Sequence, residues 1–206
     1  MDVAGLLAHA PLLAQLERAR TLGFLGPGPV ADHIQHAAGF LAALVDVGGT
    51  VVDLGSGGGV PGLIIAMARP DLTLVLVDAT AKRCRFLEQA VRGLALSASV
   101  IEDRAEAVGH SARRGSADAV VARSFGAPAA TAECGAPLLR LGGVLVVSEP
   151  PEPPIGRWDG AGLAQLGLTV GRRSADAPVV QVLHQTAVCP PAFPRRIGLP
   201  SKRPLF

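Results

Sequence analysis

The stretch VVDLGSGGGVPG, Val51 to Gly62, constrains the fold more than any other part of the chain. Five of the nine residues from Leu54 to Gly62 are glycine. They follow a short apolar run of strand type, and the run LIIAMA behind them reads as helix. A strand that ends in a glycine turn and opens a helix is the first unit of an open α/β sheet, where ligands sit at the carboxyl ends of the strands. A turn that only connects two elements needs fewer glycines, because each adds backbone freedom that folding must remove. This many together imply a ligand lying against bare main chain.

The same alternation continues downstream. LTLVLVD reads as a strand ending on Asp78, AKRCRFLEQAVRGL as an amphipathic helix and SASVIED as a short strand. ADAVVAR reads as a strand ending near Arg123, PAATAECGAPLLR as a helix, and GGVLVVSE as a strand entered from a Gly142-Gly143 turn. Strands and helices in alternation predict a central, mostly parallel sheet with helices on both faces and right-handed crossovers.

Upstream, residues 2–22 carry leucines at helical spacing, interrupted by Pro11. GFLGPGPV is a breaker-rich loop, and a second helix spans about 31–45. PPEPPIG is too short to divide domains. A helix-to-strand piece near 163–170 and final strands near 179–188 follow it. The expected organisation is one domain over 1–206: N-terminal helices over 1–48, a ligand-binding core over 49–150, and C-terminal strands with a basic tail over 151–206. Three prolines predict that the tail, FPRRIGLPSKRPLF, is extended.

Charge and cysteine usage narrow the partners. Nineteen basic and seventeen acidic residues leave a net charge of +2, which makes no chain-wide case for nucleic acid and leaves room for a local patch. Three scattered cysteines form neither a metal spacing nor a disulfide framework, which suits a reducing cytoplasm. The start lacks a signal-peptide pattern, and no run of apolar residues is long enough to span a membrane.

Two ligand registers are legible in the glycines. Asp53-x-Gly55-x-Gly57-x-Gly59 suits S-adenosylmethionine (SAM), whereas Gly57-x-Gly59-x-x-Gly62 matches the dinucleotide fingerprint. A dinucleotide sets a pyrophosphate at the helix start. Asp53 would repel it, and Pro61 removes a donor. The sulfonium and ammonium of SAM favour an acid nearby, so SAM is the expected cofactor. Asp78 either accepts from ribose hydroxyls or caps the helix beginning near Thr80.

VPG after the glycines, ARPD closing the helix, Lys82-Arg83 with Arg85-Phe86-Leu87, Arg104-Ala105-Glu106, ARSF at a strand end and the tail PRRIGLPSKRPL together resemble the RsmG family, also called glucose-inhibited division protein B. The resemblance covers about 53–147, with the tail matching separately. It implies a Rossmann-like class I SAM-dependent methyltransferase fold with an N-terminal helical extension, acting on N7 of a guanine in 16S ribosomal RNA. It further implies that Gly55 and Val60 touch SAM, that Asp78 holds its ribose, that Ala105 and Glu106 border its adenine, and that Arg123 faces both cofactor and acceptor. Two segments depart from the family's pattern. DHIQHA keeps His33 and Ile34 but has Asp32, His36 and Ala37, and Ser148-Glu149 stands where a Lys-Gly pair is usual.

N7 of guanine carries an exposed lone pair, so alignment with the methyl carbon can supply the acceleration without a general base. The chain agrees by omission: Arg123-Ser124-Phe125 follows the fourth strand instead of an Asn/Asp-Pro-Pro-aromatic motif. Cys189 is read as a small loop residue, not a nucleophile. Arg123 either positions the substrate, through guanine O6 or a phosphate, or pairs with Asp118 or Glu106. Phe125 is read as core packing ahead of base stacking. His33 and His36 lie one helical turn apart without further ligands, which predicts a solvent or interface role and no metal. Lys82, Arg83, Arg195, Arg196, Lys202 and Arg203 form either a phosphate-binding rim or ordinary surface charge. The competing readings are a related methyltransferase with a small-molecule or other RNA acceptor, a non-catalytic SAM- or RNA-binding module, and last an NAD-dependent oxidoreductase.

Overall fold

A computed structural model of the chain describes residues 1–175 and 178–206. Helices α1 (Val3–Ala8) and α2 (Ala10–Thr21) lead into α3 (Val30–Ala43). The break between the first two falls at His9, whose Nδ1 accepts from Leu12 N at 3.2 Å, while Pro11 sits in the first turn of α2, where its missing N–H costs nothing. The core then alternates β1 (Thr50–Leu54), α4 (Gly62–Ala68), β2 (Thr73–Asp78), α5 (Ala81–Gly93), β3 (Ala98–Glu102), α6 (Ala105–Val108), β4 (Ala117–Ala122), α7 (Pro128–Gly135) and β5 (Leu139–Ser148). Helix α8 (Gly160–Gln165), the hairpin strands β6 (Leu168–Arg173) and β7 (Val180–Gln185), and the short α9 (Leu199–Lys202) complete it.

The strands form one sheet in the order β3-β2-β1-β4-β5-β7-β6. Neighbours from β3 through β5 run parallel, while β7 is antiparallel to both β5 and β6. Strand alternation sorts the side chains into two layers. Val52, Leu54, Val75, Val77, Val120 and Ala122 pack with residues of α6, α7 and α8. Val51, Leu74, Leu76, Ala119 and Val121 pack with residues of α3, α4 and α5. Leu6, Leu12, Leu16 and Ile34 of the first helices bury against Val60, Ile64 and Ala68. The helical extension therefore rests on α4 and on the loop that precedes it. Chain order reverses between β1 and β4, and the crevice at that switch point is where an open α/β sheet takes its ligand.

Two sequence expectations fail locally. The helix predicted through Arg140 stops at Gly135, because Pro137 cannot supply the next intrahelical N–H, and a tight 3-10 turn carries Ala136–Leu138. Gly142-Gly143 does not precede the fifth strand: it lies inside β5 as a register shift against β4, with Gly142 at φ +81°. The tail is not extended either. Pro200 falls in the first turn of α9, where its fixed φ suits a helix start. His110 Nε2 donates to Pro194 O at 2.7 Å, and Arg114 donates to the carbonyls of Gly109, Cys189, Pro190 and Phe193. Together with Gly198 N donating to Glu106 on α6 and Arg195 N donating to Glu133 on α7, these bonds fold the tail back onto the sheet's helices. Among the described residues, no helix is long and apolar enough to cross a membrane.

Candidate functional site

The glycine loop hangs from β2. Gly55 N and Ser56 N both donate to Val77 O at 2.9 Å, and Gly57 N donates to Asp78 Oδ2 at 3.0 Å. The other carboxylate oxygen of Asp78 accepts from Thr80 N at 2.8 Å. Asp78 thus provides the cap-like bond ahead of α5, together with a brace on the loop that its spacing does not reveal. A carboxylate oxygen that accepts one such bond retains a second lone pair. Gly59, at φ +89°, tolerates no side chain, because a Cβ there would strike Leu63 one helical turn on.

Asp53 is the deepest charge. Strand alternation turns it to the α4 side of the sheet, where it is 1% exposed and its Oδ2 accepts from Gly62 N at 3.0 Å. Burial pushes its carboxyl up to about 7, against the opposing pull of bonds from Ser56 and Gly62 and of the Arg123 charge. Asp53 does not line the cavity, so the expected direct attraction of a cationic ligand is corrected: this acid anchors the start of α4 beneath the loop. That geometry also counts against the dinucleotide reading. Gly62 N is taken by Asp53 and Leu63 N by Gly59 O, so the first two residues of α4 offer a pyrophosphate no free donor.

The raised Asp53 carboxyl has a measurable sign. It titrates near 3.8 in the unfolded chain and near 7 in the folded one, so the folded chain holds more protons between those values. This group therefore lowers stability as pH rises from about 4 to about 7. Asp53→Asn keeps an acceptor for Gly62 N–H and should flatten that part of the profile. Urea titrations of both proteins at about pH 5 and about pH 8 read the effect. Equal differences between the two pH values in both proteins would remove Asp53 as the cause.

A cavity of about 320 Å³ opens above the loop. Gly55, Gly57, Val60 and Arg123, all expected at the cofactor, line it together with Ser56, Gly58, Arg83 and Ser124. Phe24, Leu25, Gly26 and His33 close it from the helical extension. A Cβ on Gly58 would stand 2.6 Å from Leu25 Cδ2 and 2.9 Å from Phe24 O. The segment GFLG, which reads only as a loop in the sequence, is therefore the roof of the site. No local signal marks this, since the contact is made across the fold.

Arg123, just beyond β4, forms neither of the pairs considered for it. Asp118 binds Arg140 Nε at 2.7 Å and Thr50 N at 2.7 Å, and Glu106 accepts from Gly198 N at 2.8 Å. Arg123 Nη1 instead donates to His33 Nδ1 at 3.1 Å, and His33 Nε2 donates to Gly26 O at 3.2 Å. His33 is 8% exposed and bridges the roof to Arg123, which corrects the solvent role expected of it. His36, one turn on, is held below the usual histidine range, first by burial and then by the Arg123 charge. Among the described residues, no group of three or more His, Cys, Asp or Glu side chains is arranged to hold a metal.

Beyond Arg123 lies a second cavity of about 320 Å³, which shares Arg123 and Ser124 with the first. His36, Phe125, Ser148, Glu149 and Arg157 also line it. Phe125 is half-buried: it packs on the core, as expected, and also lines this cavity. Cys189 is 5% exposed, and burial pushes its thiol up to about 11, which matches an inert loop residue.

The remaining expected residues divide. Ala105 is core, and Glu106, 5% exposed, spends its carboxylate on the tail; neither lines the glycine cavity. Arg83 reaches the cavity, 3.7 Å from Asp78 Oδ2, while Lys82 shares a shallow surface cavity with Arg18 and Arg85. Arg196, Lys202 and Arg203 are exposed. Arg195 is not free for a phosphate: its Nε and Nη2 donate to the fully buried Glu133 at 2.8 and 2.6 Å.

The family profile described as rRNA small subunit methyltransferase G (GidB) matches residues 30–149. The Ribosomal RNA small subunit methyltransferase G of Rubrobacter xylanophilus is 33% identical over 96% of this chain and 81% of its own length. Among solved structures, the antibiotic-resistance methyltransferase Kmr superposes with a TM-score of 0.54 at 17% identity, over 73% of this chain and 93% of that one. The T. Thermophilus 16S rRNA methyltransferase RsmC, solved with AdoMet and guanosine, superposes with a TM-score of 0.50 at 22% identity, over 70% of this chain and 37% of that one. These likenesses place the sheet order and helical layers in the Rossmann-like class I methyltransferase fold.

Proposed function

The chain belongs to the rRNA small subunit methyltransferase G family and is a SAM-dependent methyltransferase, and from that premise we propose that it methylates N7 of a guanine in 16S rRNA of the small ribosomal subunit. The observation that carries this reading is the pair of cavities sharing Arg123 and Ser124. The glycine-lined one suits the cofactor, and the one beyond Arg123 suits the acceptor nucleotide. Bound SAM supplies an electrophilic methyl carbon on its sulfonium.

The residues present fit that group. Gly55, Gly57 and Gly58 offer bare main chain, and Asp78, 5% exposed and behind the cavity wall at Gly57, keeps lone pairs for ribose hydroxyls. The chain's task is then to hold the guanine in line, which needs no base at N7. Arg123 positions the acceptor, and Phe125 offers a face to the base. Lys82, Arg196, Lys202 and Arg203 hold the RNA backbone outside the site, while Arg83 stands at the mouth of the cofactor cavity. The chain acts as one unit in the cytoplasm, where its acceptor resides.

Transfer of labelled methyl to small subunits, to naked rRNA and to a metabolite extract tests this. We expect label in ribosomal RNA, with strand scission at the modified base after reduction and aniline treatment, a reaction diagnostic of N7-methylguanine. Label confined to the extract would transfer the reading to a small-molecule acceptor.

A further inference from the structure

Glu149 follows β5 as an acid on the acceptor side of the sheet, where it reads as unfavourable to RNA. Its side chain is only 1% exposed. Oε1 accepts from Arg157 Nε at 3.0 Å and from Trp158 Nε1 at 3.2 Å, and Oε2 lies 2.9 Å from Arg157 Nε. The carboxylate is spent on its own neighbours, and its charge is cancelled there. Arg157 is held only through Nε: no hydrogen bond to another described residue engages its two Nη atoms, and its side chain remains 25% exposed at the cavity wall.

Arg123 is built in the same manner. Its Nη1 is held from behind by His33, which is itself fixed by Gly26 O, and its remaining nitrogens have no hydrogen-bond partner among the described residues. Two guanidiniums, each oriented by a buried acceptor, thus open onto one cavity, with the hydroxyls of Ser124 and Ser148 on the same wall. Among the described residues, the only other charged or titratable side chain on that wall is His36, one turn from His33. Once Glu149 and Arg157 neutralise each other, the Arg123 charge remains, and the cavity carries a net positive charge lined with unused N–H donors. Planar guanidinium forks match phosphate oxygens in geometry as well as charge.

From this we infer that the cavity beyond Arg123 binds a phosphodiester of the acceptor RNA between Arg123 and Arg157, with Glu149 as the positioning residue that aims Arg157. The inference rests on the reading of the chain as an rRNA methyltransferase. It makes the acid after β5 part of the RNA site, acting through Arg157.

The test uses the full chain with Arg157→Met, Arg157→Lys and Glu149→Gln. Binding to 16S rRNA is measured against salt, and methyl transfer to small subunits is measured as KM and kcat. Arg157→Met should raise KM about tenfold and reduce the salt slope by about 0.7–0.9, the loss of one phosphate contact. Arg157→Lys should keep the slope, because the charge stays, and still raise KM, because the fork is lost. Glu149→Gln is the sharpest variant. Simple charge counting expects removal of an acid to tighten RNA binding, whereas loss of the anchor on Arg157 weakens it. SAM affinity by calorimetry should be unchanged in all three, which also reports that they fold. Unchanged KM and slope in Arg157→Met, with only a lower melting temperature, would reduce the pair to a staple on the 150–158 segment. The salt slope is read without turnover, so absent methyl transfer would sink the functional reading while the slope still decides the clamp.

Discussion

Asp78→Ala should weaken SAM binding by about ten- to a hundredfold, the equivalent of about 1–3 kcal/mol for hydrogen bonds lost at a buried acceptor. Two contributions act together. The ribose loses the carboxylate proposed to receive it, and Gly57 N–H and Thr80 N–H lose the oxygens that hold the loop and the entry to α5. Asp78→Asn separates them. An amide oxygen can still serve one of the two N–H groups, yet its NH₂ end cannot accept from a hydroxyl. Asn should therefore recover part of the thermal stability and little of the affinity. Calorimetric titration with SAM, alongside thermal unfolding of the ligand-free protein, reads both. Unchanged affinity in Asp78→Ala would reduce this residue to a cap and brace.

Arg195→Ala should be the most destabilising change in the tail. Glu133 is fully buried on α7, and three donors from Arg195 reach it: the backbone N–H, Nε and Nη2, at 2.8, 2.8 and 2.6 Å. Removing the guanidinium leaves the buried carboxylate one backbone N–H and no counter-charge, which costs about 3 kcal/mol or more when one partner of a buried pair is lost. For a chain of this size the melting temperature should fall by about 6–12 °C. The slope of rRNA affinity against salt should stay the same, because Arg195 faces inward. Neutralising Arg196, Lys202 and Arg203 should do the reverse, lowering the slope with little change in melting temperature. A flattened slope in Arg195→Ala at unchanged stability would return that residue to the RNA surface.

The core was legible wherever local pattern and tertiary packing agree. β1, α4, β2, α5 and β4 fall close to where apolar periodicity places them, because each buries a face whose spacing is already in the residues. The glycine loop was legible because bare backbone leaves a compositional mark. What failed depends on contacts between distant residues. Gly142 reads equally as a turn or a bulge until β4 is laid beside it. The tail's prolines suggest extension until Glu106, His110 and Glu133 capture its backbone. His33 and Arg123 are ninety residues apart in the chain, and nothing in DHIQHA announces a guanidinium as its partner. Charge was the least readable property: Asp53, Glu106, Glu133 and Glu149 are all acids that turn inward and accept from the backbone of another segment or from an arginine.

Leu25 and the Phe24 carbonyl overlie Gly58, and the same stretch leads directly from α2 towards α3. One wall of the cavity over the glycine loop thus stands on a separate packing interface, that of α1–α3 with α4. Loosening Leu12 or Leu16, which do not line the cavity, should be felt as leakier cofactor retention, and a filled cavity should in turn hold the helices down. Resistance of α1–α3 to proteolysis would then track occupancy of the chamber, giving a readout of loading that requires no turnover at all.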